Sequence, residues 1–244
     1  MGFWAALQFL TIFPTPLRHD ADSKIYGQSL AYFPLVGLLL GVILLGLHFG
    51  SKFLLPETVT NTLLVTTLVV LTGAHHLDGL IDTFDGIFAG MSREERLAIM
   101  SDTSVGTFGI ACVILLLLLK YVCLFHVSMV PALLLMPTLS RWVMVMAIFI
   151  FPYAKSAGMG IGFKQAATWQ RITVASAIAI IVAIAVLTWK GLILIAALFI
   201  IIFGVAFYFR SRLGGLTGDI YGAINEIGEV TVLLLIILVG RLNV

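Results

Sequence analysis

The sequence predicts an all-α protein, a polytopic transmembrane helical bundle of about seven spans with an N-terminal interfacial or re-entrant helix. Hydrophobic residues make up 61% of the 244 residues and charged residues 11%. In an average soluble domain about 45–50% of the residues are apolar and about 25% are charged. The mean hydropathy is +1.13. Because a helical span needs roughly 20 apolar residues, we expect one integral membrane domain over residues 1–244.

The apolar segments predict the helices in order. Residues 1–16 are apolar but short and end at two prolines, which favours a helix at the membrane interface or a re-entrant one. Seven longer apolar segments follow. Their predicted bounds are 27–50, 58–77, 107–127, 129–151, 171–189, 191–209 and 226–240. The last could begin earlier. Gly37, Gly41 and Gly46 in the first span predict close packing against a neighbouring helix.

The basic residues orient the predicted bundle. Nine lie on the side of the N-terminus and three on the other, and cytoplasmic loops carry the excess of Lys and Arg. We therefore expect a multi-pass protein of the cytoplasmic (inner) membrane with its N-terminus in the cytoplasm. The nine are Arg18, Lys24, Arg93, Arg96, Lys155, Lys164, Arg171, Arg210 and Arg212, and the three are Lys52, Lys190 and Arg241. A net charge of +2 without a basic tract gives no indication of nucleic-acid binding.

The carboxylates are concentrated in two short segments. Half of the twelve lie within residues 75–109, and three more lie within 217–229. The first group is Asp78, Asp82, Asp85, Glu94, Glu95 and Asp102, and the second is Asp219, Glu226 and Glu229. The predicted topology puts both segments on the cytoplasmic side. Because ionised groups at membrane depth are costly, the two segments predict one composite site that carries chemistry.

Three aspartates of the first segment predict a metal site. Asp78, Asp82 and Asp85 are spaced i, i+4, i+7 and would share one stripe of a helix, where a divalent cation would offset their repulsion. Oxygen ligands without a thiolate favour Mg²⁺, with Mn²⁺ as a substitute, over zinc. We predict these three and Asp102 as ligands, for one ion or two, with a phosphate-bearing substrate completing the coordination. A solvated or salt-bridged helix face is the alternative, and Asp102 could also cap the next span.

Further polar residues are candidates for catalysis or substrate binding. Arg93 and Arg96 can offer forked donors to phosphate. Arg141 lies in mid-span, where it would bind phosphate or form an intramembrane ion pair. The other predicted substrate-binding residues are His76, Asn225 and Glu229. The general base is open among Asp78, Asp219 and Glu226, and a plain polar helix start is the alternative for the second acidic segment.

Two other features favour structural interpretations. We expect Lys120 to snorkel or pack within its span. The segment at 153–164 is rich in glycine and basic, but it has no P-loop motif. A plain connector is favoured there over a cover for the substrate.

Part of the first acidic segment is similar to a known signature. Asp82-x-x-Asp85-Gly86-x-x-Ala89 resembles the first half of the motif of the CDP-alcohol phosphotransferases, which are membrane enzymes with an aspartate-based two-metal site. That family has arginine where this chain has Gly90. Because of the partial resemblance, a phospholipid synthase of this kind is one alternative function. A cation-coupled transporter is another.

A closer resemblance covers nearly the whole chain. The chain resembles the cobalamin synthase family (adenosylcobinamide-GDP ribazoletransferases) in several segments. These are FLTIFPTP at 9–16, FPLVGLLLG at 33–41, HHLDGLIDTFDGIFAG at 75–90, REERLAIMSDTSVGTFG at 93–109 and GGLTGDIYGAINEIGE at 214–229.

This resemblance implies a transferase of coenzyme B12 (cobalamin) biosynthesis that acts in nucleotide-loop assembly. The 3′-hydroxyl of α-ribazole, or of its 5′-phosphate, would attack the cobinamide-side phosphorus of adenosylcobinamide-GDP with Mg²⁺ bound. GMP would leave, and adenosylcobalamin or its 5′-phosphate would form. The implied partners are the corrinoid-GDP and ribazole substrates and the lipid bilayer. Association with a second copy or with other late enzymes of B12 assembly is left open.

Overall fold

The computed structural model describes residues 1–17, 27–156 and 158–241. Arg18 and Lys24, which entered the orientation argument, lie outside these ranges. The described residues form helices and include no β-strand. The helices are α1 (Gly2–Leu10), α2 (Phe33–Ser51), α3 (Glu57–Leu71), α4 (His75–Ala89), α5 (Arg93–Ile99), α6 (Thr107–Leu124), α7 (Met129–Ile150), α8 (Met159–Ala166), α9 (Trp169–Leu187), α10 (Lys190–Leu213) and α11 (Gly218–Gly240). The predicted all-helical class is confirmed.

Six helical segments of the described chain are long and apolar enough to cross a membrane by themselves. The first, Gly27–Ser51, includes a 3₁₀ turn at Leu30–Tyr32 before α2. The helices α3 and α4 pass the same test only as a pair, and they are bent by 86°. Gly73 and Ala74 in the break have φ angles of 61° and 58°. The prediction of one continuous helix over 58–77 is therefore wrong.

The two ends of the bent pair lie near the two ends of α6. At one end, Thr60 near the start of α3 lines a cavity with Leu124 at the end of α6. At the other end, Asp85 near the end of α4 accepts a hydrogen bond from Gly109 near the start of α6. Because α6 is itself one of the apolar spans, we count the pair as one crossing. With the pair counted in this way the described residues provide seven crossings, the higher of the two totals that helix length and composition allow.

The centre of the bundle is formed by α7 and α11, which pack against each other and against α2 and α4. In each central helix 78% of an apolar stretch of 18 residues is buried inside the protein. The corresponding share is 22–28% in α6, α9 and α10. The outer helices therefore expose most of their apolar surface, as expected of helices that face lipid. The buried stripe of α9 includes Ala175, Ala179 and Ala183, and such small residues allow close helix packing.

The predicted close packing of the first span is confirmed at two of its three glycines. A Cβ added at Gly37 would overlap the carbonyl oxygen of Pro137 in α7, and one at Gly41 would lie 2.5 Å from the carbonyl oxygen of Leu133. At Gly46 an added Cβ would meet no described atom within 4 Å, so the prediction is wrong there. The contact is made by the first half of α2.

We expect Gly37→Ala to destabilise the protein by about 1–3 kcal/mol or more, because the methyl group would force the backbones of α2 and α7 apart. Gly46→Ala is the matched control in the same helix. It should be neutral or slightly stabilising, because alanine favours a helix by about 1 kcal/mol over glycine. Thermal unfolding of both variants in detergent would test this. Equal melting temperatures would contradict the inferred contact.

The second acidic segment lies mostly inside a helix. Thr217 caps α11 by accepting a hydrogen bond from the Ile220 amide at 3.3 Å. The helix therefore begins at Gly218 rather than at 226, and the earlier start that the sequence left open is confirmed. Glu226 and Glu229 lie two to three turns into α11 and are buried, so this segment reaches the interior of the bundle.

Candidate active site

A cleft of about 500 Å³ opens where α1, α4, α8 and the start of α11 meet. One wall is polar and includes one aspartate from each predicted acidic segment. The other wall is aromatic. The polar wall consists of His75, His76, Asp78 and Asp219, and the aromatic wall of Phe9, Phe33 and Phe163. The two acidic segments therefore contribute to one cleft, through Asp78 and Asp219.

Two glycines bring the acidic segments together. A Cβ at Gly79 in α4 would lie 2.6 Å from the carbonyl oxygen of Asp219, and one at Gly222 in α11 would lie 3.2 Å from the Cα of His76. The backbones of α4 and α11 can approach this closely only because neither position has a side chain. The contact places residues about 140 positions apart in sequence on one wall.

The charge around Asp82 is mostly negative. Its half-buried carboxylate interacts with the negative charges of Asp78, Asp219 and Asp85 and with the positive charge of Lys155. Asp78 is exposed. The carboxylates of Asp78 and Asp82 accept no hydrogen bond from the described part of the chain. Like charges this close destabilise one another unless a cation or a proton offsets them.

Asp85 is buried and has a structural role that the sequence does not predict. Its two oxygens accept hydrogen bonds from the amides of Gly106 and Gly109, each at 2.8 Å. Gly106 is the N-cap of α6 and offers no side chain to the helix. Asp85 therefore satisfies amides of the first turn that would otherwise be unpaired, and its charge favours the positive end of the helix dipole.

Asp102 is exposed and bonded within its own turn. Its Oδ1 accepts hydrogen bonds from the amide and the hydroxyl of Ser104, both at 3.1 Å. Since α6 begins at Thr107 after the N-cap Gly106, the alternative that Asp102 caps the next span is wrong.

No three His, Cys, Asp or Glu side chains of the described residues stand close enough to hold a metal ion together. Mg²⁺ often takes only one or two protein carboxylates and completes its coordination with water and substrate phosphate. Metal binding by Asp78, Asp82, Asp85 and Asp102 stays a prediction.

Lys155 belongs to the site although it was not predicted there. Its ammonium lies 3.4 Å from Asp219 Oδ2, and both side chains are slightly over one quarter exposed. The Thr217 hydroxyl also donates to Asp219 at 3.2 Å. The nearby Tyr153 is half-buried, and burial followed by the charge of Asp219 raises the pKa of its phenol.

The segment at 153–164 forms a wall of the cleft, so the prediction of a plain connector is wrong. Its first residues bond to the backbone just before α11, where the amide of Ala154 donates to the carbonyl oxygen of Leu216 at 2.8 Å. Its end is helical, and Phe163 packs against Phe9 with ring centroids 4.6 Å apart and the ring planes tilted by 54°. Lys164 donates to the Phe149 carbonyl oxygen at the end of α7 at 2.7 Å, and burial lowers the pKa of its ammonium.

The two predicted arginines lie beside the acidic segment and bond to backbone. Arg93 donates to the Ala154 carbonyl at 3.2 Å and Arg96 to the Ile87 carbonyl at 3.4 Å. They belong to α5, which begins with a capping box formed by Ser92 and Glu95. The backbone amides of Ser92 and Met91 donate hydrogen bonds to the Glu95 carboxylate and lower its pKa. Substrate binding by Arg93 and Arg96 stays a prediction.

A buried ion cluster lies deeper between α6, α7 and α11. Lys120 is 2.6 Å from Glu226 and also pairs with Glu229, which in turn pairs with Arg141. Their side chains are at most 5% exposed. The prediction that Lys120 snorkels or packs is wrong, and of the two interpretations of Arg141 the ion pair is the one found.

The cluster is connected to the cleft through one amide. Asn225 Nδ2 lies 3.3 Å from Glu229 Oε1 and 2.9 Å from Nδ1 of His76. His76 lines the cleft, whereas Asn225, Glu226 and Glu229 do not. Catalysis by Glu226 and direct substrate binding by Arg141, Asn225 and Glu229 stay predictions, but the structure puts all four side chains behind the cleft wall.

Sequence comparison identifies close relatives. A family model described as cobalamin-5-phosphate synthase matches residues 2–237. Proteins named adenosylcobinamide-GDP ribazoletransferase are similar over most of their length. That of Desulforamulus reducens is 39% identical over 241 residues, covering 96% of this chain and 94% of the relative. That of Geotalea daltonii is 35% identical over 240 residues, covering 98% and 97%. No solved structure matches the chain.

Proposed function

The chain belongs to the cobalamin-5-phosphate synthase family, and we propose that it joins adenosylcobinamide-GDP to α-ribazole, or to α-ribazole 5′-phosphate, with release of GMP. It is a transferase of cobalamin synthesis and a multi-pass membrane protein. The family match and the relatives weigh against the two alternatives, a CDP-alcohol phospholipid synthase and a cation-coupled transporter.

The acidic wall of the cleft is the observation that best supports this reaction. Asp78 and Asp219 line the cleft, and Asp82 shares their electrostatic environment. An all-oxygen donor set with excess negative charge suits Mg²⁺, with Mn²⁺ as a substitute. Asp78 and Asp82 would hold the ion, because their carboxylates are not bonded to the described protein. When bound, Mg²⁺ would neutralise charge on the phosphoryl oxygens.

Asp219 is our candidate for the general base. Thr217 and the start of α11 fix its position at the cleft. Its carboxylate would take the proton of the ribazole 3′-hydroxyl as that oxygen attacks the cobinamide-side phosphorus. The bond from this phosphorus to the GMP oxygen breaks, and GMP leaves. Lys155 would pair with a substrate phosphate, which frees Asp219 to accept the proton.

Two predicted catalytic residues have supporting roles in this proposal. Asp85 holds the start of α6 through two amides and so fixes one side of the acidic wall. Glu226 is paired with Lys120 behind the cleft wall, which leaves Asp219 better placed as the base.

The aromatic wall would bind the flat rings of the substrates. Phe9 and Phe163 lie with ring centroids 4.6 Å apart, and Phe33 lies 5.8 Å from Phe163. Such a surface can stack a purine or a benzimidazole-type base. The cleft then offers an acidic side for the phosphates and an apolar side for a base.

We place this cleft on the cytoplasmic side of the cell membrane. The basic residues near it, among them Arg93, Lys155 and Lys164, support this orientation by the positive-inside rule. Seven crossings then put the C-terminus outside. Association with a second copy or with other enzymes of B12 assembly stays a prediction.

Release of GMP tests the proposal. We expect the purified protein in liposomes to release GMP from adenosylcobinamide-GDP when α-ribazole or its 5′-phosphate is added with Mg²⁺, and to stop when EDTA removes the metal. Omission of the acceptor is the control for simple hydrolysis. Absence of release by folded protein with both acceptors and with Mg²⁺ or Mn²⁺ would exclude the proposed reaction. CMP release from a CDP-alcohol would instead support the phospholipid alternative.

A further inference from the structure

His76 lies where the cleft meets the buried ion cluster. Its side chain is 7% exposed and lines the cleft. Its Nδ1 lies 2.9 Å from Asn225 Nδ2. Its Nε2 makes no hydrogen bond to any residue that the structure describes. The protonation of the two ring nitrogens therefore depends on what Asn225 presents to Nδ1.

The orientation of the Asn225 amide is determined by Glu229. An ionised carboxylate only accepts hydrogen bonds, so the amide group 3.3 Å from Glu229 Oε1 must be the NH₂ donor. Glu229 is paired with both Lys120 and Arg141, and these two cations favour its ionised form. One hydrogen of the NH₂ group is used by Glu229, and the other is directed at His76.

A donor at Nδ1 decides the tautomer of His76. A nitrogen that accepts a hydrogen bond carries no proton, and a neutral imidazole has one N–H. The proton of His76 must then be on Nε2, the nitrogen that no described residue engages. His76 would thus present a neutral N–H donor to a ligand in the cleft.

We propose that Asn225 and Glu229 are positioning residues that fix His76 as an Nε2–H donor to a phosphoryl oxygen of the substrate. The identity of that acceptor rests on the proposed function, and the tautomer itself does not. A fixed N–H that points to where negative charge develops stabilises a transition state more than a mobile donor can. This gives a functional reason for burying four charged side chains, which by itself contributes little net stability.

The tautomer can be measured directly. Protein labelled with ¹⁵N-histidine in nanodiscs would be compared by NMR with Asn225→Asp, and the His76 signals would be identified by their loss in His76→Gln. We expect a protonated Nε2 and an unprotonated Nδ1 in the wild type. In Asn225→Asp the new carboxylate accepts a hydrogen bond, so Nδ1 should become protonated. A wild-type Nδ1 that carries the proton overturns the inference.

Turnover gives a second readout. We expect Asn225→Asp to lower kcat on the order of a hundredfold, as loss of one preorganised donor does, with a smaller change in KM. His76→Gln should retain more activity than His76→Phe, because the glutamine amide can replace the Nε2–H donor. His126→Gln is the control and should behave as the wild type, because His126 lies two residues beyond the end of α6 and does not line the cleft. Equal activity of His76→Gln and His76→Phe would also overturn the inference.

The two experiments separate this inference from the proposed function. An inactive wild type with a protonated Nε2 overturns the proposed reaction and supports the tautomer. An active wild type with a protonated Nδ1 supports the proposed reaction and overturns the tautomer. If Asn225→Asp does not fold, the wild-type spectrum and the two His76 variants decide the question.

Discussion

Asp82→Asn is expected to lower kcat by about three orders of magnitude while the protein stays folded. Loss of a carboxylate that holds Mg²⁺ removes several kcal/mol of transition-state stabilisation, and about 1.4 kcal/mol corresponds to a tenfold change in rate. The fold should not suffer, because Asp82 interacts with the negative charges of Asp78, Asp85 and Asp219, and removal of one charge relieves that repulsion. GMP release and thermal unfolding, each with and without Mg²⁺, would measure both effects.

Two neighbouring aspartates serve as matched controls. If Asp78 and Asp82 hold the ion as proposed, Asp102→Asn should remain active and stable, because Asp102 is exposed and bonded only within its turn. Asp85→Asn should mainly destabilise the protein. Asp85 accepts hydrogen bonds from two backbone amides, and in the variant one of these amides would face an NH₂ group instead of an oxygen. The expected pattern is loss of activity and of Mg²⁺-induced stabilisation in Asp82→Asn alone. Full activity in Asp82→Asn, or equal loss in Asp102→Asn, would contradict the assignment.

The aspartates show how far the sequence could predict the site. Composition and helical spacing were enough to select Asp78, Asp82 and Asp85, because carboxylates are rare in this chain and repeat on one stripe. They could not separate the roles of Asp82 and Asp85. That difference depends on α5 returning the chain so that Gly106 reaches Asp85, which is a tertiary contact between residues 21 positions apart.

The break before α4 shows a different limit. Gly73 is a visible helix breaker, but a glycine within an apolar run is often tolerated. Ala74 also adopts a left-handed conformation, with φ of 58°, and alanine has no local preference for it. The surrounding packing imposes this conformation, and the apolar pattern, which continues to residue 77, does not indicate the bend.

The sequence could predict that a buried ion pair forms, but not which residues form it. A lysine inside an apolar span needs an acidic partner, so an ion pair is the expected state of a buried Lys120. Its partners Glu226 and Glu229 lie 106 and 109 residues away. Their selection depends on the register between α6 and α11, which no local pattern specifies.

Glu229→Gln is expected to destabilise the protein by about 3–5 kcal/mol, the usual cost when a buried ion pair loses one partner. The wild-type cluster is neutral, because Lys120 and Arg141 face Glu226 and Glu229. The substitution leaves a net charge of +1 in a site with almost no solvent. Arg141 is affected most, since Nε and Nη2 already have no hydrogen-bond partner among the described residues. Thermal unfolding in detergent and the amount of protein in the membrane would show the loss.

A second substitution distinguishes charge imbalance from lost packing. In the double variant Glu229→Gln with Arg141→Met the remaining Lys120 and Glu226 pair is again neutral. We expect it to be more stable than Glu229→Gln alone, with a coupling energy of about 1–3 kcal/mol in a double-mutant cycle. Additive losses would mean that Glu229 and Arg141 contribute through packing only. If Glu229→Gln were as stable as the wild type, the cluster would not hold the helices together, and fixing the His76 tautomer would be the main reason for its burial.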